Sequence, residues 1–199
     1  MKRLIFFGKI HAYMYKYFED IQKIKGDFAE FGVFKGSSFM MLIEIARSQE
    51  KKIHGFDSFK GLSTPTEKDY VNGKIAGYPK GKFNTGGSQE LRNKLGKIGY
   101  ESDKDYYLWE GFIPNVFGKV PKDISFSFSF VDLDHHKPTA CTLKWLFTKL
   151  EIGGIVLCDD YFPKKTHSAS LAICEFIEGN KRTKILKNDN NQVLFKRIK

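Results

Sequence analysis

The sequence predicts an α/β protein with a doubly wound, mostly parallel sheet and an antiparallel hairpin at its carboxyl end. Three observations carry that expectation. Short apolar runs alternate with stretches whose apolar residues recur at helical spacing, from DFAEFGV near the start to SASLAICEFIEG near the end. Several of those runs close on acids: Asp57, Asp132 with Asp134, and Asp159 with Asp160. The last two runs, RTKILKN and NQVLFKRI, flank the turn residues Asn188, Asp189, Asn190 and Asn191.

The elements follow in order. A leading helix is expected over 11–24, within an amino-terminal helical segment of 1–25. A strand over 27–33 then feeds a helix over 37–48, with Ser37 or Ser38 near its cap. A second strand is expected over 51–57, a helix over 88–98 capped by Ser88, and a third strand over 106–111. The serine–phenylalanine run over 125–134 reads as a half-buried fourth strand, followed by a helix over 138–150. A fifth strand over 153–160 and a helix over 168–179, closed by Gly179, lead into the hairpin. Residues 58–87 interrupt this rhythm with eight Gly and Pro residues and several lysines. A connection of that length with no structure of its own serves as a lid or is disordered. Its place after the second strand sets it over the crevice, and it is read as a lid.

Composition bounds the rest. A chain of 199 residues with 19 Phe fits a single domain, 1–199, with a core large enough to exclude disorder. Cys141, Cys158 and Cys174 sit in apolar stretches without metal-binding spacing, so they read as reduced thiols. No apolar run is long enough to span a bilayer and no signal peptide is evident, which makes a cytoplasmic location the expectation. The net charge of +10 is scattered. Without a nucleic-acid motif it reads first as a Lys/Asn-rich surface, with attraction of a phosphorylated substrate such as a nucleotide sugar ranked between that and a nucleic-acid partner.

The acids at the strand ends carry the chemistry. In an open α/β sheet, ligands bind outside the carboxyl ends of the strands. Carboxylates gathered there repel one another unless a hard cation holds them, and oxygen donors suit Mg²⁺ or Mn²⁺. Asp132, Asp159 and Asp160 rank above Asp134, which is also placed to cap the helix starting near Pro138. After the first strand, the turn Gly32-Val33-Phe34-Lys35-Gly36 lets a ligand approach the backbone, although its spacing is not that of a dinucleotide fingerprint. Asp57 stands where an acid accepts both hydroxyls of a ribose. His135 and His136 lie beside the acids and are candidates to take a proton or bind metal. His54, Trp109 and the Phe126, Phe128, Phe130 ladder read as packing.

The segments EFGVFKGSS, GFDSFKGL, VDLDHHKPT and LEIGGIVLCDDY, in that order over 26–179, resemble the macrocin O-methyltransferase family of class I S-adenosylmethionine-dependent enzymes. The resemblance implies a Rossmann-like, seven-stranded methyltransferase sheet and Mg²⁺-dependent methylation of a sugar hydroxyl. It implies that Ala29, Glu30, Gly32, Val33, Ser37 and Ser38 contact the methionine end of S-adenosyl-L-methionine, and that Asp57 and Ser58 contact its ribose side. Ser88 and Gly111 are further expected around the cofactor. Asp132, Asp159 and Asp160 are expected to bind the metal, with Asp132 or His136 as the base. The chain departs from the family pattern at His136, where a tyrosine is usual, and in a shorter amino-terminal segment. The expected partner is a sugar-containing small molecule, nucleotide-linked or glycosidic, and a homo-oligomer is compatible with the sequence. A catechol-type O-methyltransferase and an Asp-x-Asp glycosyltransferase are the alternatives.

Overall fold

A computed structural model describes residues 13, 16–162, 167–189 and 191–199. Its elements are α1 (Phe18–Lys23), β1 (Asp27–Phe31), α2 (Ser37–Ser48), β2 (Ile53–Asp57), β3 (Tyr70–Val71), β4 (Lys74–Ile75) and α3 (Gln89–Lys97). They continue with β5 (Tyr106–Glu110), β6 (Phe126–Val131), α4 (His136–Leu146), β7 (Leu150–Cys158), α5 (Ser168–Gly179), β8 (Thr183–Asp189) and β9 (Gln192–Arg197). Residues 11, 12, 14 and 15 of the expected leading helix, and Asn190 of the expected hairpin turn, lie outside the described residues.

Seven strands form one sheet in the order β5-β2-β1-β6-β7-β9-β8. The first five are parallel, β9 adds antiparallel to β7, and β8 pairs antiparallel with β9, the carboxyl-terminal hairpin that was expected. From β1 the chain steps outward through β2 to β5, then returns to the other side of β1 with β6 and β7. The strand order therefore reverses between β1 and β6, where a crevice opens at the carboxyl edge.

Helices cover both faces, and the strands read accordingly. On one face Phe28, Ile155 and Leu157 pack beneath α2 residues Phe39, Leu42 and Ile43. On the other, Phe31, Val156 and Cys158 pack against Leu143 and Leu146 of α4. Among the described residues no helix is long and apolar enough to cross a membrane.

Four local expectations are corrected. β6 is buried on both faces, Ser127 and Ser129 included, because its alternation separates large from small side chains under two helical layers. The cap of α2 is Gly36 at φ 81°, with no side-chain bond, and Ser38 is used elsewhere. Ser88 stands at the N-cap of α3 as expected, though its side chain makes no cap hydrogen bond, whereas Asp134 caps no helix because α4 starts after His135. Finally, 58–87 is not structureless. It holds a 3₁₀ turn over Glu67–Asp69 and the β3–β4 hairpin.

Candidate active site

The parallel strands end along one edge, and their last residues set the site. Beyond Val131 and Cys158, which are paired in register, the chain continues into Asp132 and Asp159, so these acids leave neighbouring strands side by side. Asp134 and Asp160 then turn the chain back, each at φ 58°, in the left-handed region that short polar side chains tolerate. One carboxylate oxygen each from Asp132, Asp134 and Asp160 lies within 4.8 Å of the others. Asp159 lines the same cavity but is outside that trio. Of the expected ligands Asp132, Asp159 and Asp160, the first and last fall in this trio with Asp134, and Asp159 does not.

Enclosure makes this group electrostatically costly. Burial, followed by the charges of Asp159, Asp134 and Asp160, pushes Asp132 well above the usual carboxylate range. Asp134 is pushed up to about 7, by burial first and then by Asp160 and Asp159. Acids crowded in this way are stabilised by a cation, and all the donors are hard oxygens.

The acids border a cavity of about 340 Å³ that runs from Asp134 and Asp160 past Gly32 and Asp57 to Gly111. Gly32 sits at the reversal point with φ 92°, and a Cβ on it would fall 1.8 Å from the carbonyl oxygen of Asp132. Only glycine lets the turn after β1 touch the start of the acidic segment. Asp57 holds that turn: its Oδ2 accepts from the N–H groups of Val33 (2.9 Å) and Phe34 (2.8 Å), and its Oδ1 from Phe59 N–H (2.7 Å). Its carboxylate is therefore largely committed to shaping the turn, a role not anticipated from the sequence.

Glu30 is fully buried in β1, accepts from Ser38 Oγ at 2.5 Å, and leaves Oε2 without a partner. Burial is the main reason its carboxyl is pushed up to about 8, the Ser38 bond working in the opposite sense. The charge of Asp57 raises it further, and Glu30 in turn raises Asp132. Of the residues expected around the cofactor, Gly32, Asp57, Ser58 and Gly111 line the cavity, whereas Ala29, Glu30, Val33, Ser37, Ser38 and Ser88 do not. Ser88 instead donates to Glu110 Oε2 at 2.9 Å.

His136 is not placed as a base at the acids. Its Nε2 is 2.9 Å from Glu175 Oε2, its backbone N–H donates to Asp69 Oδ1 at 2.7 Å, and it does not line the cavity. His135 is buried with Nε2 donating to Tyr78 O at 2.9 Å. Both contacts fasten 58–87 over the site. Asp69 is fully buried: burial works to raise its pKa, but bonds from His136 N–H, Thr66 N–H and Thr66 Oγ1 hold it below the usual range. Tyr78, Phe83 and Phe34 then form an aromatic wall, with ring centroids 4.9 Å and 5.3 Å apart along the chain of contacts. None of Asp69, Tyr78, Phe83 or Phe34 was singled out from the sequence. The Thr66-Glu67-Lys68-Asp69 capping box was the available signal for the first of them.

Comparison with known proteins agrees with this geometry. The family model described as macrocin-O-methyltransferase (TylF) matches residues 14–197. Demethyldecarbamoylnovobiocin O-methyltransferase of Streptomyces niveus is 25% identical over 149 residues, covering 72% of this chain and 56% of that protein. The chain thus spans a little over half the length of this curated relative. Among solved structures, the O-methyltransferase NovP superposes with a TM-score of 0.71 at 21% identity, over 91% of this chain and 79% of its own. CalS11, a calicheamicin methyltransferase, gives 0.72 at 20%, over 93% and 77%. The sheet is that of the S-adenosylmethionine-dependent methyltransferases, and the chain belongs to the macrocin-O-methyltransferase family.

Proposed function

We propose that the chain transfers the methyl group of S-adenosyl-L-methionine to a hydroxyl of a sugar-containing small molecule, with Mg²⁺ or Mn²⁺ held by Asp132, Asp134 and Asp160. The observation that carries this reading is one cavity joining that acidic trio to the turn at Gly32 and to Asp57. Both absent groups fit the residues. The carboxylates are hard donors crowded beyond what solvent alone offsets, and the buried, unpartnered Glu30 oxygen suits the positive methionine end of the cofactor. Among relatives sharing the fold, CalS11 is described as a TDP-rhamnose 3'-O-methyltransferase, and a Podospora anserina methyltransferase was solved bound to S-adenosylhomocysteine.

When bound, a divalent cation at these acids polarises an acceptor hydroxyl and lowers its pKa. The protein's own residues do the rest. Glu30 and Ser38 orient the methionine end, and Asp57 shapes the turn that seats it. Asp132 would accept the proton of the acceptor hydroxyl, and S-adenosyl-L-methionine, held at the turn after β1, would supply the methyl group. Tyr78, Phe83 and Phe34 keep water out and present faces for a sugar ring. Positioning of the two reactants supplies much of the acceleration. The aromatic wall also suits a flat phenolic ring, which keeps a catechol-type acceptor as a second reading. The glycosyltransferase alternative is set aside by family membership.

Calorimetry with S-adenosylhomocysteine, a UDP-sugar and Mg²⁺ tests this directly. S-adenosylhomocysteine is expected to bind without any nucleotide sugar present. Binding of the UDP-sugar alone, with no affinity for S-adenosylhomocysteine, would overturn the assignment.

A further inference from the structure

A second cavity of about 280 Å³ opens on the far side of the acids and shares Tyr78, Asp134 and Asp160 with the first. The two are therefore continuous across the proposed cation site. Its far wall is the start of α5, a 12-residue helix whose amino end carries partial positive charge. That wall is tied to the acidic turn by a bond from Ala169 N–H to Asp134 O at 3.3 Å.

Ser168 is the informative residue. It adopts φ 52°, a conformation in which glycine is unstrained and serine is not. It is 8% exposed, and its hydroxyl has no hydrogen-bond partner. Nearby Ser170 contrasts with it, donating to Phe162 O at 2.7 Å and accepting from Phe162 N–H at 2.9 Å. Across the cavity lies Gly77, and a Cβ built there would sit 4.0 Å from Ser168 Oγ, so the hydroxyl faces the space between them. A strained serine with a buried, unpaired hydroxyl at a helix amino end is a donor waiting for an acceptor.

We propose that this second cavity binds a phosphoryl group of the acceptor, through Ser168 and the amino end of α5, so that the substrate is a phosphorylated sugar rather than a finished glycoside. The inference rests on the cation reading above, because Asp134 and Asp160 would repel a phosphoryl group unless their charge is offset.

The test uses the full chain with Mg²⁺ and S-adenosylhomocysteine, and inorganic phosphate as the probe in calorimetry. Ser168→Gly removes the hydroxyl while relieving the backbone, so its melting temperature should not fall; Ser168→Ala removes the hydroxyl alone. Phosphate is expected to bind wild type and to bind both variants roughly tenfold more weakly. Glucose 1-phosphate should displace it and methyl glucoside should not. Equal phosphate affinity in wild type and both variants, or displacement by methyl glucoside, overturns the subsite. So does a wild type that binds Mg²⁺ and S-adenosylhomocysteine but no phosphate. Failure to bind Mg²⁺ itself would bring down the cation reading together with the subsite.

Discussion

Asp134 and Asp160 occupy left-handed backbone positions, and their side chains meet that of Asp132 in a poorly solvated cleft. Strain and crowded charge of this kind persist where a site uses them. Asp160→Asn should keep the fold and lower methyl transfer by at least about a hundredfold, as loss of several kcal/mol of cation chemistry implies. A steady-state assay with and without added Mg²⁺ checks it, and turnover within a few fold of wild type would contradict it. Asp134→Asn should cost more activity than Asp159→Asn; the reverse order would make Asp159 the third ligand. At this scale much was legible. The strand-end acids and Gly32 stand where apolar runs stop, and that pattern is written in the chain; Glu30 came only with the family resemblance. The choice between Asp134 and Asp159 was not, because it depends on the path after two left-handed residues. His136 was misjudged because proximity in sequence says nothing about which way an imidazole at a helix start turns, and here it turns to Glu175.

The segment between β2 and α3 works as one element, latched rather than loose. Asp69 accepts from Thr66 twice and from His136 N–H, His135 holds Tyr78 O, and Lys68 pairs with Glu175 at 2.7 Å. Asp69→Ala would leave buried donors unpaired and should free the hairpin. Amide exchange across 66–78 is expected to quicken on the order of a hundredfold while the sheet stays protected. The KM for the acceptor should rise more than kcat falls. Unchanged exchange would show that the segment is held by other contacts. Its glycines and prolines were read as a lid without structure of its own, and its internal order was missed. Asn72-Gly73, with φ of 50° and 73°, is a strong hairpin signal that such a short pair of strands makes easy to overlook.

For the whole molecule, the alternation of runs gives a doubly wound sheet, but the order that puts β1 beside β6 comes from packing and crossover handedness. That order brings the turn after β1 against the acids, and it ties stability to pH. Glu30, raised to about 8, Asp134, raised to about 7, and Asp132, raised well above its ordinary value, all hold protons more tightly in the folded chain. Their stabilisation is complete below the ordinary carboxylate range and is lost as pH rises through those values. The metal-free protein should therefore melt at progressively lower temperature between about pH 5 and pH 9, less steeply in Glu30→Gln. Saturating Mg²⁺ should flatten the profile, since it binds the folded, ionised acids. A metal-free profile that rises with pH would contradict this.

The most direct measurement is the number of Mn²⁺ ions bound per chain, read by electron paramagnetic resonance in wild type and Asp132→Asn. One ion per wild-type chain, displaced by Mg²⁺ and lost in the variant, is the expected result. Mn²⁺ that stays free in the wild type, or binds the variant equally well, would contradict the account.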